Sequence, residues 1–159
     1  MKEIKVARLV EGAILPTRKH PADAGIDIYI YYDFKVPGFL TTTINTGISV
    51  EIPEGFVGIL KPKGKNEHLI GSGVVDAGYQ GEIIVRVFNT HPYPINFKAG
   101  DAICQMVIYP TVTPKVVEVS KEEIHEVKSL RGTTGGIHGI SQLNFLETSP
   151  DLHEWSEPE

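Results

Sequence analysis

The chain has 159 residues, 41% of them hydrophobic and 22% charged, which is typical of one globular domain able to bury its own core. The formal net charge of -5 argues against a general binder of nucleic-acid backbones or of membrane surfaces, since both need clustered positive charge. The single cysteine, Cys104, excludes an intramolecular disulfide, and its apolar surroundings predict a buried packing role. No apolar run is long enough to span a bilayer, and no signal-peptide pattern is present. We therefore expect a cytoplasmic protein, or a nuclear one if its source has a nucleus.

Short runs rich in β-branched and aromatic residues dominate the first two thirds of the chain. They predict strands over residues 4–10, 26–32, 42–52, 56–60, 83–89 and 103–109, separated by turns that contain proline or glycine. Between residues 83 and 88 the pattern alternates, with Ile83, Val85 and Val87 on one face and Arg86 on the other. Many short strands at regular spacing predict an all-β sandwich, jelly roll or barrel.

One segment, residues 120–128, predicts a short helix. Ser120 stands at the N-cap position and Glu123 follows three residues later, which is the pattern of a capping box. At most one short helix is therefore expected in an otherwise all-β chain.

Residues 73–83 place Asp76 and Tyr79 three residues apart, on a glycine-bounded turn between two β-branched runs. Glycine permits positive φ and close backbone approach, so we predict a tight hairpin whose main chain can touch a ligand. A carboxylate can activate a water, and an aromatic ring can cover a sugar or a base. Taken alone, the segment also fits an ordinary hairpin with a turn aspartate and a packing tyrosine.

The composition changes after residue 130. Residues 131–139 are small, polar and rich in glycine, with one fixed positive charge at Arg131. They fit either a flexible linker or a mobile flap whose amides and arginine close over phosphate oxygens. Residues 142–159 hold five acidic residues and neither lysine nor arginine. We therefore divide the chain into a β domain, 1–130, a glycine-rich flap, 131–141, and an acidic C-terminal extension, 142–159.

Five motifs follow one another along the chain, at residues 24–28, 61–65, 73–83, 100–105 and 131–139. In content and order they resemble the motifs of the homotrimeric dUTPase family, the deoxyuridine triphosphate nucleotidohydrolases, over about residues 4–139. The resemblance implies a distorted β jelly roll of the dUTPase-like, β-clip type with an extended C-terminal arm. It also implies a homotrimer in which each active site uses motifs from all three chains. The implied reaction cleaves dUTP between the α and β phosphates to dUMP and pyrophosphate, with Mg²⁺ on the triphosphate.

The same resemblance implies roles for individual residues. Asp76 matches the carboxylate that activates the attacking water, and Asp27 matches a carboxylate that approaches the metal through water. Tyr79 matches the ring that packs on the deoxyribose and leaves no room for a 2′-hydroxyl. The other implied substrate-binding positions are Gly73 and Val74 at the uracil edge, Lys63, Gly64 and Gln105 at the phosphates, Arg131 at the γ phosphate, and Gly135, Gly136 and His138 in the flap.

Two motifs depart from the family pattern. Lys63 and Gly64 stand where family members carry an arginine and a serine, and residues 136–138 stand where a phenylalanine usually stacks on the uracil. Preorganised contacts of this kind contribute about 2–4 kcal/mol each. The departures motivate an alternative: a nucleotide-binding or regulatory module, or a pyrophosphatase for a variant deoxynucleoside triphosphate. A related dCTP deaminase would need a glutamate where this chain has Arg86, which argues against that activity. The stretch 62–73 also looks short, so we expect its usual small helix to be reduced or absent.

Overall fold

The computed structural model describes residues 3–125, which form eleven β-strands and no helix. The strands are β1 Lys5–Arg8, β2 Gly25–Tyr29, β3 Phe34–Val36, β4 Thr41–Asn45, β5 Ile48–Glu51, β6 Phe56–Lys61, β7 Leu69–Ile70, β8 Gly73–Val75, β9 Ile84–Phe88, β10 Ile95–Phe97 and β11 Ala102–Pro110. The all-β prediction is confirmed. Within this part of the chain, no helix is long and apolar enough to cross a membrane.

The strands pair into four sheets, and all the pairings are antiparallel. The largest sheet has the order β2-β11-β6-β8, a second has the order β4-β9-β7, and two small sheets pair β1 with β5 and β10 with β3. Among residues 3–125, no pairing joins strands that are consecutive in the chain. Each sheet therefore depends on contacts between distant parts of the sequence, and connecting segments cross repeatedly from one sheet to another.

An aliphatic core fills the inside of the β unit. Alternation along the strands produces it: Ile26 and Ile28 of β2 are buried, whereas Asp27 between them faces outward. In β9, Val85 and Val87 are buried and Arg86 is exposed, so the predicted alternation is confirmed. Fully burying one such aliphatic side chain stabilises the fold by about 1.5–3 kcal/mol.

Cys104 belongs to this core and is fully buried. Burial raises the pKa of its thiol to about 12, which keeps the sulfur protonated at neutral pH. The predicted packing role is therefore confirmed.

The predicted strand over residues 42–52 is interrupted. β4 ends at Asn45 and β5 begins at Ile48, because Gly47 turns the chain with a φ of +72°. A Cβ at Gly47 would lie 2.7 Å from a methyl of Val10, so both the backbone conformation and the space require glycine. The sequence pattern missed the break because apolar residues continue on both sides of it.

The predicted helix at residue 120 is wrong over the residues that the structure describes there. The Ser120 hydroxyl does donate to the Glu123 carboxylate (2.9 Å), and the Ser120 amide does so at 3.2 Å. However, residues 121–124 form turns rather than a helix, and residues 126–128 lie outside the described part. A capping box begins a helix only when enough helix-forming residues follow it.

Contacts between residues divide the chain into a unit that ends at Pro114 and a second unit that begins at Lys115. All eleven strands of the described chain lie in the first unit. The predicted boundaries at residues 130 and 141, and the flap and acidic extension that they delimit, lie outside the described residues.

Candidate active site

Three of the five sequence motifs meet on one row of the largest sheet. β11 lies between β2 and β6, and Gln105 of β11 stands opposite Asp27 of β2 on one side and Lys61 of β6 on the other. Directly opposed residues of antiparallel strands have Cβ atoms about 4.5–5.5 Å apart. The first, second and fourth motifs are therefore neighbours in space.

Asp27 is the carboxylate at the centre of this row. Its side chain is 16% exposed and forms an ion pair with the ammonium group of Lys63, which is 26% exposed. Backbone hydrogen bonds with Thr17 fix its position, with the Asp27 amide donating at 2.7 Å. The ion pair is much less exposed than Lys5–Glu51, whose side chains are 83% and 63% exposed, so solvent screens it less. A ligand that binds Asp27 must compete with Lys63.

The loop that carries Lys63 and Gly64 is fastened to β11. The buried His68 donates from Nε2 to the carbonyl of Ile103 (2.7 Å), and Asn66 donates to the carbonyl of Ala102 (3.2 Å). Residues 62–72 contain no helix, as the short length of this stretch predicted. These hydrogen bonds, together with the edge-to-face contact of the His68 ring on Phe97, hold the second motif beside Gln105.

Gly64 occupies open space in this loop. A Cβ built there would have no neighbour within 4 Å, and its φ lies outside the left-handed region. Neither sterics nor backbone conformation therefore requires glycine, and the missing side chain is a chemical difference from the family pattern.

Gln105 points toward the second motif. Its amide nitrogen donates to the carbonyl of Pro62 at 3.0 Å. Gly25 of β2 leaves the space for this side chain, because a Cβ there would collide with the Gln105 amide. Asp27, Lys63, Gly64 and Gln105, predicted separately from sequence, thus lie in one cluster.

The segment 73–83 is not the predicted hairpin. β8 pairs with β6, whereas β9 pairs with β4 and β7, so the connection between them crosses from one sheet to another. The local turn is nevertheless present: the Tyr79 amide donates to the Asp76 carbonyl (3.1 Å), and Gly78 has a φ of +85°. This is the pattern of a type II turn. The sequence identified the turn but not the partners of the flanking strands, because pairing is long-range.

Asp76 and Tyr79 both project from this turn into solvent. Asp76 is exposed, and Tyr79 is 45% exposed with its hydroxyl donating to the carbonyl of Glu82 at 3.0 Å. Gly81 leaves room for the ring, since a Cβ there would lie 2.6 Å from the ring carbon that bears the hydroxyl. The two side chains are therefore available to a ligand.

Glu82 is a residue of this region that the sequence reasoning missed. Its carboxylate accepts hydrogen bonds from the Asn45 side chain and from the Gly47 amide, both at 2.7 Å. The neighbouring carbonyl of Ile83 accepts from the hydroxyl of the buried Thr46 at 2.6 Å. From sequence alone, a single acidic residue before a strand is expected to be solvated. No local pattern indicates hydrogen-bond partners that lie 35 or 37 residues away in the chain.

The predicted residues line separate clefts. Gly73, Val74 and Tyr79 border a cleft of about 170 Å³. Asp76 borders another of about 510 Å³, together with residues of the β5–β6 connection and of the chain after β11. The 76–79 turn joins the residues that border the two clefts, so Asp76 and Tyr79 are each accessible to a ligand, from different clefts.

Asp76 does not approach Asp27 of the same chain. Three strand-to-strand steps separate β2 from β8, and Asp76 lies about four residues beyond the row of Asp27. With about 4.8 Å per step and about 3.3 Å per residue, their Cα atoms are roughly 20 Å apart. A single copy therefore holds two separate halves of the predicted constellation. Arg131, Gly135, Gly136 and His138 lie outside the described residues.

Comparisons with known proteins point to one family. A family model described as dUTPase matches residues 11–137. The deoxyuridine 5′-triphosphate nucleotidohydrolase of Mycolicibacterium vanbaalenii is 36% identical over 146 residues, covering 87% of this chain and 94% of that protein. The protein of the same name from Arabidopsis thaliana is 40% identical over 119 residues, covering 72% of each.

Solved structures extend the similarity to the fold. A mutant dUTPase of Staphylococcus bacteriophage 80alpha, solved with dUpNHpp, has a TM-score of 0.76 at 28% identity and covers 85% of this chain and 96% of that chain. A mutant dUTPase of phage phi11 of S. aureus has a TM-score of 0.70 at 28% identity and covers 75% and 97% of the two chains; its description mentions a structural Mg(II) ion. The resemblance in sequence and the jelly-roll prediction are thus confirmed.

Proposed function

Because the chain belongs to the dUTPase family, we propose that it hydrolyses dUTP between the α and β phosphates and releases dUMP and pyrophosphate. The observation that carries this proposal is the 76–79 turn, which presents an exposed carboxylate at Asp76 and a half-exposed aromatic ring at Tyr79, three residues apart. The similarity to nucleotidohydrolases extends over both halves of the site.

Asp76 acts as the general base in this proposal. Its exposed carboxylate accepts a proton from the water that attacks the α phosphorus, while the bond from that phosphorus to the bridging oxygen breaks and pyrophosphate leaves. Assistance of this kind typically contributes about 10²–10⁴-fold to the rate. The type II turn fixes the backbone of Asp76, which limits the conformations that the carboxylate must lose on binding.

Tyr79 and the adjoining strand recognise the nucleoside. The ring packs on the deoxyribose face and excludes a 2′-hydroxyl, while backbone groups of Gly73 and Val74 pair with the uracil edge in the cleft that they share with Tyr79. Cytosine would bring an amino donor where the backbone offers a donor, and the unpaired groups would cost binding energy.

The other cluster receives the triphosphate. Lys63 supplies positive charge, and the side-chain amide of Gln105 and the backbone amide of Gly64 supply hydrogen-bond donors. Arg131, Gly135, Gly136 and His138 then belong to a flap that covers the phosphates.

Magnesium fits this donor set as an ion carried by the nucleotide. Among residues 3–125, no cluster of three or more His, Cys, Asp or Glu side chains forms a metal cage. Mg²⁺ prefers oxygen ligands, retains several waters and usually binds one or two carboxylates plus substrate phosphates. Asp27 is a shielded carboxylate on the row of the phosphate-binding residues and would orient the waters of the ion. When bound, the ion neutralises charge that develops on the phosphate oxygens.

A complete site requires more than one copy of the chain. Asp76 and Asp27 of one copy are roughly 20 Å apart by strand spacing, too far for both to act on one triphosphate. The family resemblance implies three chains, and we therefore infer a homotrimer whose active site uses motifs from all three copies, with one copy providing the phosphate cluster and another the 76–79 turn. The expected cytoplasmic location stays a prediction.

The test is a nucleotide panel. The protein is incubated with Mg²⁺ and dUTP, dCTP, dTTP or UTP, and the products are separated by chromatography. We expect dUMP and pyrophosphate from dUTP and little product from the others. Asp76→Asn is the matched control, since it removes the base while keeping the shape of the side chain. Absence of dUTP turnover at micromolar protein would exclude the proposal.

The second candidate function is a regulatory nucleotide-binding module or a pyrophosphatase for a variant deoxynucleoside triphosphate. It is motivated by Gly64, where a catalytic hydroxyl is absent although space for it exists. The description of one phage dUTPase structure states that phage dUTPases control the transfer of virulence genes. Binding of dUpNHpp without any turnover of dUTP would favour the regulatory alternative, and turnover of another nucleotide in the panel would favour the variant substrate.

A further inference from the structure

We propose that Glu82 is a positioning residue that holds the 76–83 loop in the geometry that discriminates dUTP from UTP. The inference rests on the proposed function and deepens it, because it assigns the rigidity of the sugar-binding loop to one carboxylate. Glu82 borders the cleft assigned to the nucleoside, but it takes no part in bond cleavage in this proposal. It acts through Tyr79.

Both carboxylate oxygens of Glu82 accept hydrogen bonds from the β4–β5 corner, residues 45–48, and so connect the loop to it. Oε2 accepts from the side chain of Asn45, the last residue of β4, and Oε1 accepts from the amide of Gly47, each at 2.7 Å. Bonds to a charged acceptor are roughly twice as strong as those between neutral groups. The positive φ of Gly47 aims its amide at this carboxylate. The corner therefore provides two donors that converge on one side chain.

The backbone of Glu82 forms the third connection, which leads to the sugar-binding ring. The Tyr79 hydroxyl donates to the Glu82 carbonyl at 3.0 Å. A displacement of Glu82 therefore moves the acceptor that orients the ring.

Two other contacts hold the loop without the Glu82 side chain. The Ser49 hydroxyl donates weakly to the carbonyl of Gln80 (3.3 Å), and Ile83, at the end of the loop, accepts from the Thr46 hydroxyl (2.6 Å) and donates to the Ile48 carbonyl (2.9 Å). Between residues 76 and 82, the Glu82 side chain is therefore the main anchor.

Rigidity of this loop decides how well the ring excludes a 2′-hydroxyl. Tyr79 is 45% exposed, so the packed core alone does not hold it in place. A ring that can move aside makes room for the additional oxygen of UTP at little cost. A ring held through Glu82 makes the same oxygen collide with it. The side chain of Glu82 should therefore influence substrate discrimination more than the stability of the β unit.

The experiment compares three variants that remove different numbers of these bonds. Glu82→Ala removes both side-chain bonds, Asn45→Ala removes one, and Glu82→Gln keeps both if the Asn45 amide turns its oxygen toward the new amide nitrogen. The measured quantities are kcat/KM for dUTP and for UTP, the melting temperature, and hydrogen exchange of the amides of residues 76–83. Glu11→Ala, which removes an exposed carboxylate elsewhere in the same unit, is the control for charge.

We expect Glu82→Ala to lower the dUTP-to-UTP ratio of kcat/KM by at least about tenfold, with faster exchange in residues 76–83. Asn45→Ala and Glu82→Gln should have smaller effects, the first because one bond is lost and the second because both bonds lose their charged acceptor, and Glu11→Ala should stay close to the wild type. The inference is overturned if Glu82→Ala leaves both the ratio and the exchange unchanged, or lowers only the melting temperature. A wild type without dUTP turnover would instead overturn the proposed function, and this inference with it.

Discussion

The ion pair between Asp27 and Lys63 sets the charge at the phosphate end of the site before any ligand arrives. The two side chains are 16% and 26% exposed, so water screens their attraction only in part. The ammonium group of Lys63 is paired with the carboxylate of Asp27, which is the group that a hydrated cation would approach. In the complete site the same ammonium group is free to turn toward phosphate oxygens. In the proposed site, Lys63 thus has two alternative partners that are both negatively charged: the Asp27 carboxylate and the phosphate oxygens.

Replacing Lys63 by Met tests this competition. We expect the variant to bind Mn²⁺, used as a spectroscopic probe for Mg²⁺, about tenfold more tightly in the absence of nucleotide, a difference of about 1.4 kcal/mol. Electron paramagnetic resonance of the free ion measures this affinity. The variant should also bind dUpNHpp more weakly, because a phosphate contact is lost.

Lys65→Met is the matched control for the previous variant. Lys65 is exposed in the same loop, and the same charge is removed without changing the partner of Asp27. An equal gain in Mn²⁺ affinity for both variants would indicate a general effect of net charge and would contradict direct competition at Asp27.

Gly64 permits a second test at the scale of one residue. Because a Cβ there meets no atom within 4 Å, serine fits without rearrangement. If the absent hydroxyl limits the rate, Gly64→Ser should raise kcat for dUTP by about tenfold, which is a fraction of what one preorganised donor can contribute. Steady-state kinetics measure this change. Gly64→Ala separates the hydroxyl from the added carbon, and an equal rise in both variants would show that the hydroxyl is not responsible.

At the scale of elements, the strands that the sequence predicted well are those with a sustained alternation. β2 and β9 alternate between buried and outward-facing residues over most of their length, and this period of two is a direct consequence of strand geometry. The strands that were missed are β3, β7 and β10, with two or three residues each, whereas the equally short β8 was predicted only as an arm of the 73–83 hairpin. Two or three residues are too few to show a periodic alternation of apolar and polar side chains.

Strand partners were beyond the reach of local sequence patterns. The segment 73–83 looks like a hairpin because glycines and β-branched residues flank a turn, yet its two strands belong to different sheets. Turn residues report the local backbone conformation, whereas the choice of partner depends on the packing of the whole core. The residue types of the candidate site were therefore predictable, and their spatial grouping was not.

The 76–79 turn supports a prediction at this scale. Gly78 has a φ of +85°, and a Cβ there would meet no atom within 4 Å, so only the backbone conformation opposes a side chain. We expect Gly78→Ala to destabilise this conformation by about 1–2 kcal/mol. Because the turn joins Asp76 to Tyr79, kcat/KM for dUTP should fall roughly tenfold.

The melting temperature and kcat/KM are both measured for Gly78→Ala. Gly12→Ala provides the control, since Gly12 also has a positive φ (+86°), a Cβ there would meet only a ring carbon of Tyr31 at 4.0 Å, and it lies outside the turn and the clefts beside it. Similar losses of stability with loss of activity only in Gly78→Ala would agree with the proposal. Equal activity losses in both variants would indicate a general effect of strain.

At the scale of the whole molecule, the fold separates groups that the chemistry requires together. Strands β2, β11 and β6 bring the first, second and fourth motifs onto one row, while β8 carries the third motif away from it. Sequence order gives no indication of this separation, because distance in space depends on strand order rather than on position in the chain. Symmetric association is the simplest way to bring one half beside the other half of a second copy.

A mixture of two inactive variants tests this association. Asp27→Asn and Asp76→Asn each lose a different half of the site, so each should be nearly inactive alone. After the two variants are unfolded together and refolded in equal amounts, a site shared between copies combines an intact Asp27 with an intact Asp76 in about a quarter of cases. We therefore expect about a quarter of the wild-type activity, measured as pyrophosphate release from dUTP. Each variant refolded alone is the control, and a mixture no more active than these controls would show that one copy supplies the whole site.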